Sequence, residues 1–280
     1  MRIVVCAKEV LDPDAVNNYA LEGKLVIGDD GKTLTQTTIP RLMNAYDEQA
    51  IEAALRLRDS GVQCTITVVS AGADPGEILK HAAALGADEI VAITVDAAAT
   101  DYHVIACVLA AAIRAKGGAD LVLCGRQASD DDQGVVPALI GEALGMPVVT
   151  VARSVEVTNT AGTPQGTGAS PAPVVRVIRV TPDGNETVEV ACPAVVTISN
   201  ELGQPRYPTM AGRMAARRKR TTVVAIGDLG LQPRDLQPRV TLARQFVPTV
   251  KGDCEIVSGT TPAELATSLL ERLRVQGILT

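Results

Sequence analysis

The sequence predicts an α/β fold: a doubly wound, mostly parallel sheet carrying an antiparallel hairpin extension and a C-terminal arm. Three observations carry this expectation. Short, continuously apolar runs (RIVVCA, TITVVS, EIVAITV, DLVLC) alternate with helical apolar patterns, the signature of parallel strands buried on both faces. Polar turns of a few residues separate them, as right-handed strand–helix–strand units require. Beyond residue 157 the pattern changes to alternating strands around a turn, VVRVIRV-TPDGN-ETVEV, which reads as a hairpin added outside the parallel part.

The elements follow in order. Residues 2–7 form a first buried strand, with Lys8 and Glu9 at its carboxyl end. The polar stretch from Asp12 to Thr38 contains two short runs, Lys24–Ile27 and Lys32–Thr35, that pair around GDDG. A helix is predicted from Asn44 to Asp59, with Asn44 as N-cap and Asp47 where a capping box places Glu. Thr65–Ser70 is the second strand and Ala71–Gly76 turns into a helix ending at Gly86. Glu89–Val95 is the third strand, Tyr102–Lys116 a strongly apolar helix, and Asp120–Cys124 the fourth strand. A loop and a further helix reach Gly145, and Val148–Val151 is a short strand close behind. Residues 158–173 read as a Gly/Thr/Pro-rich surface loop, and Pro193–Ser199 as one more strand. Asn200–Arg220 is an exposed segment with two Met, a Tyr and a basic cluster (Arg213, Arg217, Arg218, Lys219, Arg220). Asp228–Asp253 is irregular, and Thr261–Val275 is an amphipathic helix with Pro262 at its first turn. Its stripe of Leu265, Leu269, Leu270 and Leu273 needs cover, either from its own domain or from a partner subunit. The expected organisation is 1–200, a nucleotide-binding α/β domain with its hairpin; 201–224, a partner-recognition loop and basic segment; and 225–280, a C-terminal arm.

Composition excludes several functions. Net charge is −6 over 280 residues and aromatics are 2%, without Trp, which speaks against a nucleic-acid coat or a base-stacking platform. Six cysteines are scattered without a CxxC pair, so buried free thiols are favoured over metal ligation or disulfides. Two distant histidines, His81 and His103, offer no metal site. The opening MRIVVCAK is too short for a signal peptide, and no apolar run spans a bilayer, so a cytoplasmic location without membrane insertion is expected.

The most informative stretch is DLVLCGRQASDDDQGVVPALIGEALGMP, residues 120–147. Strand, polar loop and helix follow one another, so backbone N–H groups and the positive end of the helix dipole face the loop's concavity, a place for phosphate. Asp130, Asp131 and Asp132 qualify this, because carboxylates repel phosphate while accepting from N–H groups or ribose hydroxyls. Their plainer reading is helix capping in the first turn; their spacing supplies no dispersed magnesium ligand set. In open parallel sheets ligands lie beyond the carboxyl ends of the strands, here Cys6, Ala7 and Lys8; Ser70, Ala71 and Gly72; and Gly125 to Gln133. Small residues at Ala7, Ala71 and Gly72 let a flat base approach the backbone, although singly each also suits a tight turn.

MNAYDEQAIEAALRL, VSAG, CGRQASDDDQGVV and QPRYPTMAGRMAARRK, in this order and spacing, resemble the beta subunit of electron transfer flavoprotein. The likeness covers Met1 to about Val224. It implies a heterodimer with an alpha subunit that holds the working FAD, carrying electrons from dehydrogenases, often acyl-CoA dehydrogenases, to a membrane quinone reductase or another acceptor. It implies a bound AMP in this chain, or, in electron-bifurcating relatives that oxidise NADH, a second FAD in the same pocket. The family's nucleotide contacts fall on Cys6; on Asn44, Ala45, Tyr46 and Asp47; on Ala71; and on Gly125, Arg126, Gln127, Ala128, Ser129, Asp130, Asp131, Asp132, Gln133, Gly134, Val135 and Val136. Its partner-recognition loop falls on Pro205, Arg206, Tyr207, Pro208, Thr209, Met210 and Met214, with Met210 as hydrophobic anchor. Gln133 comes early relative to the family pattern, so backbone N–H groups of Gly134 to Val136 would have to replace side-chain phosphate contacts. Asp131 stands where bifurcating relatives tend to carry Gly, which tilts toward AMP, while Arg126 is shared with them. No acid, base or nucleophile constellation is present, as suits a carrier whose chemistry belongs to its cofactor. A third reading, outside the family, is a nucleotide-binding domain without a redox role.

Overall fold

A computed structural model describes residues 1–35, 38–96, 100–158, 172–247 and 254–279. Most of the sequence-predicted 158–173 loop, and the part of the irregular tail around Pro248, lie outside the described residues. Two compact units are present, Met1–Gln245 and Phe246–Thr280.

In the first unit the strands are β1 (Arg2–Cys6), β2 (Glu9–Leu11), β3 (Arg41–Met43), β4 (Thr65–Gly72), β5 (Glu89–Thr94), β6 (Leu121–Gly125), β7 (Val148–Thr158), β8 (Val174–Thr181), β9 (Gly184–Ala191), β10 (Ala194–Ile198) and β11 (Thr222–Val224). The helices are α1 (Pro13–Leu21), α2 (Ala45–Asp59), α3 (Gly76–Leu85), α4 (Tyr102–Ala115), α5 (Val136–Leu144) and α6 (Met210–Arg218). Nine strands form one sheet in the order β11-β5-β4-β1-β6-β10-β7-β8-β9. Strands from β11 to β7 run parallel, and only β8 and β9 are antiparallel.

The period-two alternation of each buried strand sorts its side chains into two cores. Ile3 and Val5 join Ile66, Val68, Leu121 and Leu123 under α2 and α3, whereas Val4 and Cys6 join Val69, Val122 and Cys124 under α4 and α5. Helices therefore cover both faces, as the apolar runs predict. Ala at contact positions of α2, α3 and α4 (Ala50, Ala54, Ala82, Ala110 and Ala112 are all within 1% of fully buried) lets these helices lie close on the sheet without aromatic filler. Burying each Ile or Leu beneath them contributes roughly 1.5–3 kcal/mol.

Four features depart from the sequence reading. The Asp12–Thr38 stretch holds a helix, α1, started by Asp12, whose carboxylate accepts from Asp14 N (3.0 Å) and Ala15 N (3.4 Å), and its flanks pair as the β2–β3 ribbon. The hairpin around GDDG contracts to a single bridge, Ile27 with Leu34. The strand beginning at Val148 continues to Thr158, because after a break at Val151 (φ 61°) it finds β8 as an antiparallel partner. Residues 222–224 add an edge strand beside β5, and Leu229, Leu231 and Leu236 then pack over the α4 side.

The second unit contains α7 (Pro262–Val275), opened by a capping box between Thr261 and Glu264. None of its residues is buried; Leu269 is 48% and Leu270 45% exposed.

Candidate functional site: the crevice between β1 and β6

The chain leaves β1 to build β4 and β5 on one side, then crosses through α4 to β6 on the other. The carboxyl ends of β1 and β6 thus form the switch point of the sheet, the place where open parallel sheets bind ligands. Ala7, Lys8, Gly125 and Arg126 sit on its rim.

Asp47, in the first turn of α2, closes the base of this crevice. One carboxylate oxygen accepts from Lys8 N and the other from Gly125 N, both at 2.8 Å. A single buried side chain thereby joins the ends of two strands. Burial pushes the Asp47 carboxyl up to about 6, although these donors, Asn44 and the Lys8 charge act against the shift. Asn44 is the backbone N-cap of α2 but makes no side-chain cap. Its amide instead donates to Gln127 O (2.8 Å) and accepts from Ser129 N (3.2 Å). The predicted Asn44/Asp47 capping box is therefore replaced by a clamp on the 125–136 loop; sequence spacing could not distinguish these uses of the same two side chains.

Gly125 has no room for a side chain: a Cβ would lie 2.5 Å from Asp47 Oδ1 and 2.7 Å from Tyr46 Cβ. Gly134, at φ 62°, would place a Cβ 2.7 Å from Arg126 O. Between them Asp132 takes φ 52°, and its N–H donates to Ala128 O (2.8 Å).

The three aspartates do not cap α5. Lys8 Nζ donates to Asp130 (2.7 Å) and Asp131 (3.2 Å), and Asp132 accepts from Gln127 Nε2 (2.8 Å). Gln133 turns back on Asp131, donating from its N–H (3.2 Å) to the carboxylate and from Nε2 (3.1 Å) to the carbonyl. Burial lowers the proton affinity of the Lys8 ammonium, but hydrogen bonding to Asp130 and the charges of both aspartates outweigh it, and the net shift is upward. The Tyr102 phenol is raised by burial and by the Asp131 charge. The N-cap of α5 is Val135, which supplies no side-chain acceptor, so the first N–H groups of α5 lack the side-chain acceptor that usually covers them.

Arg126 extends from the same rim. Its N–H donates to Ile198 O (2.9 Å), its guanidinium lies 5.2 Å from the Tyr46 ring centroid, and its Nε is buried without an acceptor. An uncapped helix start, a buried guanidinium N–H lacking an acceptor and a glycine cradle fit the phosphate end of a nucleotide. Ala7 is buried and Ala71 partly buried beside the crevice. Beneath it Cys6 and Cys124 are register partners on β1 and β6; hydrogen bonding to Cys6 and burial raise the Cys124 thiol well above its ordinary value. Among the described residues no three His, Cys, Asp or Glu side chains converge as a metal set.

A second group of predicted residues lies elsewhere on the unit. Arg206 is turned inward, to Glu52 and Asp59 (2.7 Å each). Tyr207 is 79%, Met210 74% and Met214 57% exposed. Met210 is the first residue of α6, whose N-cap Thr209 accepts from Gly212 N (3.0 Å). Gly212 fits α6 against α3, since a Cβ there would meet Ala84 O at 2.4 Å. Lys219, read from sequence as part of a basic cluster, instead donates to Ala87 O (2.7 Å) and Asp88 O (2.8 Å).

Comparison with known proteins bears on this arrangement. The family model described as "Electron transfer flavoprotein domain" matches residues 32–229, which include α2, the crevice loop and α6. The chain is 32% identical over 286 residues to the electron transfer flavoprotein subunit beta of Thermoanaerobacterium thermosaccharolyticum, covering all of both chains. The chain belongs to the electron transfer flavoprotein beta-subunit family. Within that family it is also 33% identical over 226 residues, 80% of each chain, to the beta subunit of Syntrophomonas wolfei. It is 33% identical over 284 residues, all of both chains, to the protein named caffeyl-CoA reductase-Etf complex subunit CarD of Acetobacterium woodii. No helix among the described residues is long and apolar enough to cross a membrane.

Proposed function

We propose that this chain is the beta subunit of a heterodimeric electron transfer flavoprotein that accepts electrons from dehydrogenases, such as acyl-CoA dehydrogenases, and passes them to a quinone reductase or another acceptor. In this reading the alpha subunit holds the working FAD, which supplies the redox chemistry, and the beta crevice holds AMP as a structural element. The single observation that carries the reading is the arrangement at the switch point: Asp47 and Asn44 fix the 125–136 loop there, α5 starts without a side-chain cap, and the Arg126 Nε is buried without an acceptor. Gly125, Arg126 and the N–H groups of Gly134 to Val136 would receive the phosphate, and Ala7 and Ala71 would border the base. Asp131 supports a monophosphate over a diphosphate, because its carboxylate, paired with Lys8 at 3.2 Å, adds negative charge beside the anion site. Tyr207, Met210 and Met214 form the docking surface for the donor, and the Leu stripe of α7 meets the alpha subunit.

A second reading is favoured by one relative. The A. woodii protein is named as a subunit of a reductase–Etf complex, and Arg126 is a residue that the resemblance shares with bifurcating members; in this reading the complex carries a second FAD here and acts as a bifurcating enzyme on NADH. The test is to purify the heterodimer, release its nucleotides and count them. One FAD and one AMP per heterodimer support the carrier; two FAD and no AMP support the alternative and overturn the first reading. Met210→Ala is expected to slow transfer from the donor while leaving the nucleotide content intact; unchanged kinetics would remove Met210 from the docking surface.

A further inference from the structure

Helix α2 grips two different parts of the chain. Its first turn holds the crevice loop, and residues farther along hold the segment that leads into the docking surface. Glu52 is 6% exposed. One of its oxygens accepts from Arg56 Nε (2.8 Å), the other from Arg206 Nε (2.7 Å) and Arg206 N (3.2 Å). Arg206 Nη2 also donates to Asp59 (2.7 Å). Arg56 then reaches the neighbouring backbone, donating to Leu202 O (2.7 Å) and Gln204 O (3.3 Å). Burial raises the Glu52 carboxyl, but hydrogen bonds from Arg206 and Arg56 outweigh this and hold it below its ordinary value.

Residues 203–209 belong to no helix or strand, so backbone ladders do not fix their path; side chains of α2 do. The residue pinned most firmly, Arg206, is followed immediately by the strongly exposed Tyr207, and Met210 stands out three residues later. The guanidinium is committed to buried Glu52 on its inner side and to Asp59 at the surface.

We propose that Arg206 is a positioning residue that does not itself grip the donor. Paired with Glu52, it sets the direction in which the chain leaves α2, so that Tyr207 and Met210 project as a preordered surface. The proposal rests on the docking reading above and narrows it by taking Arg206 out of the contact set. Without the pin, residues 203–209 sample more paths and must be ordered again at each encounter, a cost that falls on binding and not on the transfer step.

The experiment uses the complete heterodimer with the acyl-CoA dehydrogenase of the same cells that it oxidises fastest. Met210→Ala, Arg206→Ala, Arg206→Lys and the Met210/Arg206 double alanine variant are compared by KM and kcat for the donor, nucleotide content and amide hydrogen exchange over 203–212. Expected are KM increases of about tenfold for both single alanine variants, with kcat within about twofold and nucleotide content unchanged. Arg206→Ala alone is expected to accelerate exchange. Arg206→Lys rescues only part of the loss, because an ammonium cannot form the paired contacts, and the double variant is less than additive. If Met210→Ala has no effect, the docking reading fails and the proposal with it. If Met210→Ala acts but Arg206→Ala leaves KM and exchange unchanged, the proposal alone is overturned. A raised KM with unchanged exchange also overturns it, since Arg206 would then touch the donor directly. Should Arg206→Ala misfold, Asp59→Ala removes only the outer contact and carries the test: faster exchange over 203–212 with a KM rise of about twofold supports positioning, and no change in either refutes it.

Discussion

Replacing Asp47 by Asn separates the charge of this residue from its shape, and the structure gives the size of the expected pH effect. The carboxyl is pushed from 3.8 to about 6 by burial, so between these values the folded chain binds a proton that the unfolded chain has released. Stability therefore falls as pH rises through this window: the ionised group, in place at neutral pH, is the destabilising form. Over the full interval the effect is on the order of 3 kcal/mol, and between about pH 7 and about pH 4.5 it is roughly 2 kcal/mol. Asn cannot titrate, and it keeps one acceptor while turning an N–H donor toward a backbone N–H, a mismatch costing about 1–3 kcal/mol. Urea unfolding followed by circular dichroism, run on both proteins at both pH values, isolates the term, because all other titrating groups cancel in the difference. The wild type is expected to gain roughly 2 kcal/mol on the Asn variant as the solution is acidified. A difference that stays flat across the window would refute the assignment of a buried, proton-hungry carboxylate at the junction of β1 and β6.

Other perturbations probe the same construction. Gly125→Ala forces a methyl to within 3 Å of Asp47 and Tyr46 and is expected to destabilise the chain by about 1–3 kcal/mol and to release its nucleotide; retention of both in thermal melts and nucleotide extraction would show that the crevice can widen. Lys8→Met leaves Asp130 and Asp131 without their cation, and because that pair is partly exposed the expected loss in nucleotide affinity is only about 1 kcal/mol, or roughly fivefold, shrinking in high salt. Titration calorimetry at two ionic strengths reads this, and a salt-independent loss would mean that Lys8 acts through packing. Leu269→Asp on α7 is expected to abolish copurification with the alpha subunit while leaving the circular dichroism of the chain near wild type; normal copurification would place the alpha contact elsewhere.

Much of this architecture was legible because both faces of the sheet are buried. Strands such as Ile3–Cys6 and Leu121–Cys124 must be apolar at every position, and such runs stand out between helical patterns. The strand ends holding the site followed from topology. What was not legible was the use of polar side chains across long separations. Asn44 and Asp47 carry a helix-start pattern, yet they serve residues 125–129, and no local rule reveals a partner about 80 positions away. Lys8 with Asp130, and Arg206 with Glu52, are hidden for the same reason. The aspartates of the loop suggested capping because capping is local; Lys8 won them through the fold. Helix α1 is hard to read from sequence although Asp12-Pro13 is a recognisable start signal, because a polar, Asn-containing stretch with little apolar periodicity has weak helical character of its own. The extension of β7 depended on β8, which supplies its partner across residues outside the described set.

The place of β10 has a consequence for biosynthesis. This strand sits between β6 and β7, so Leu121 waits for Ala194, and Arg126 for Ile198, before either is covered. As the nascent chain emerges, the half built by β1, β4, β5 and β6 therefore carries an open parallel edge until some seventy further residues have left the ribosome. Such an edge invites intermolecular pairing, and the segment that seals it also completes the rim on which Arg126 is held. The chain thus closes its vulnerable edge and completes the backbone hold on the Arg126 rim in the same event, once residue 198 has left the ribosome.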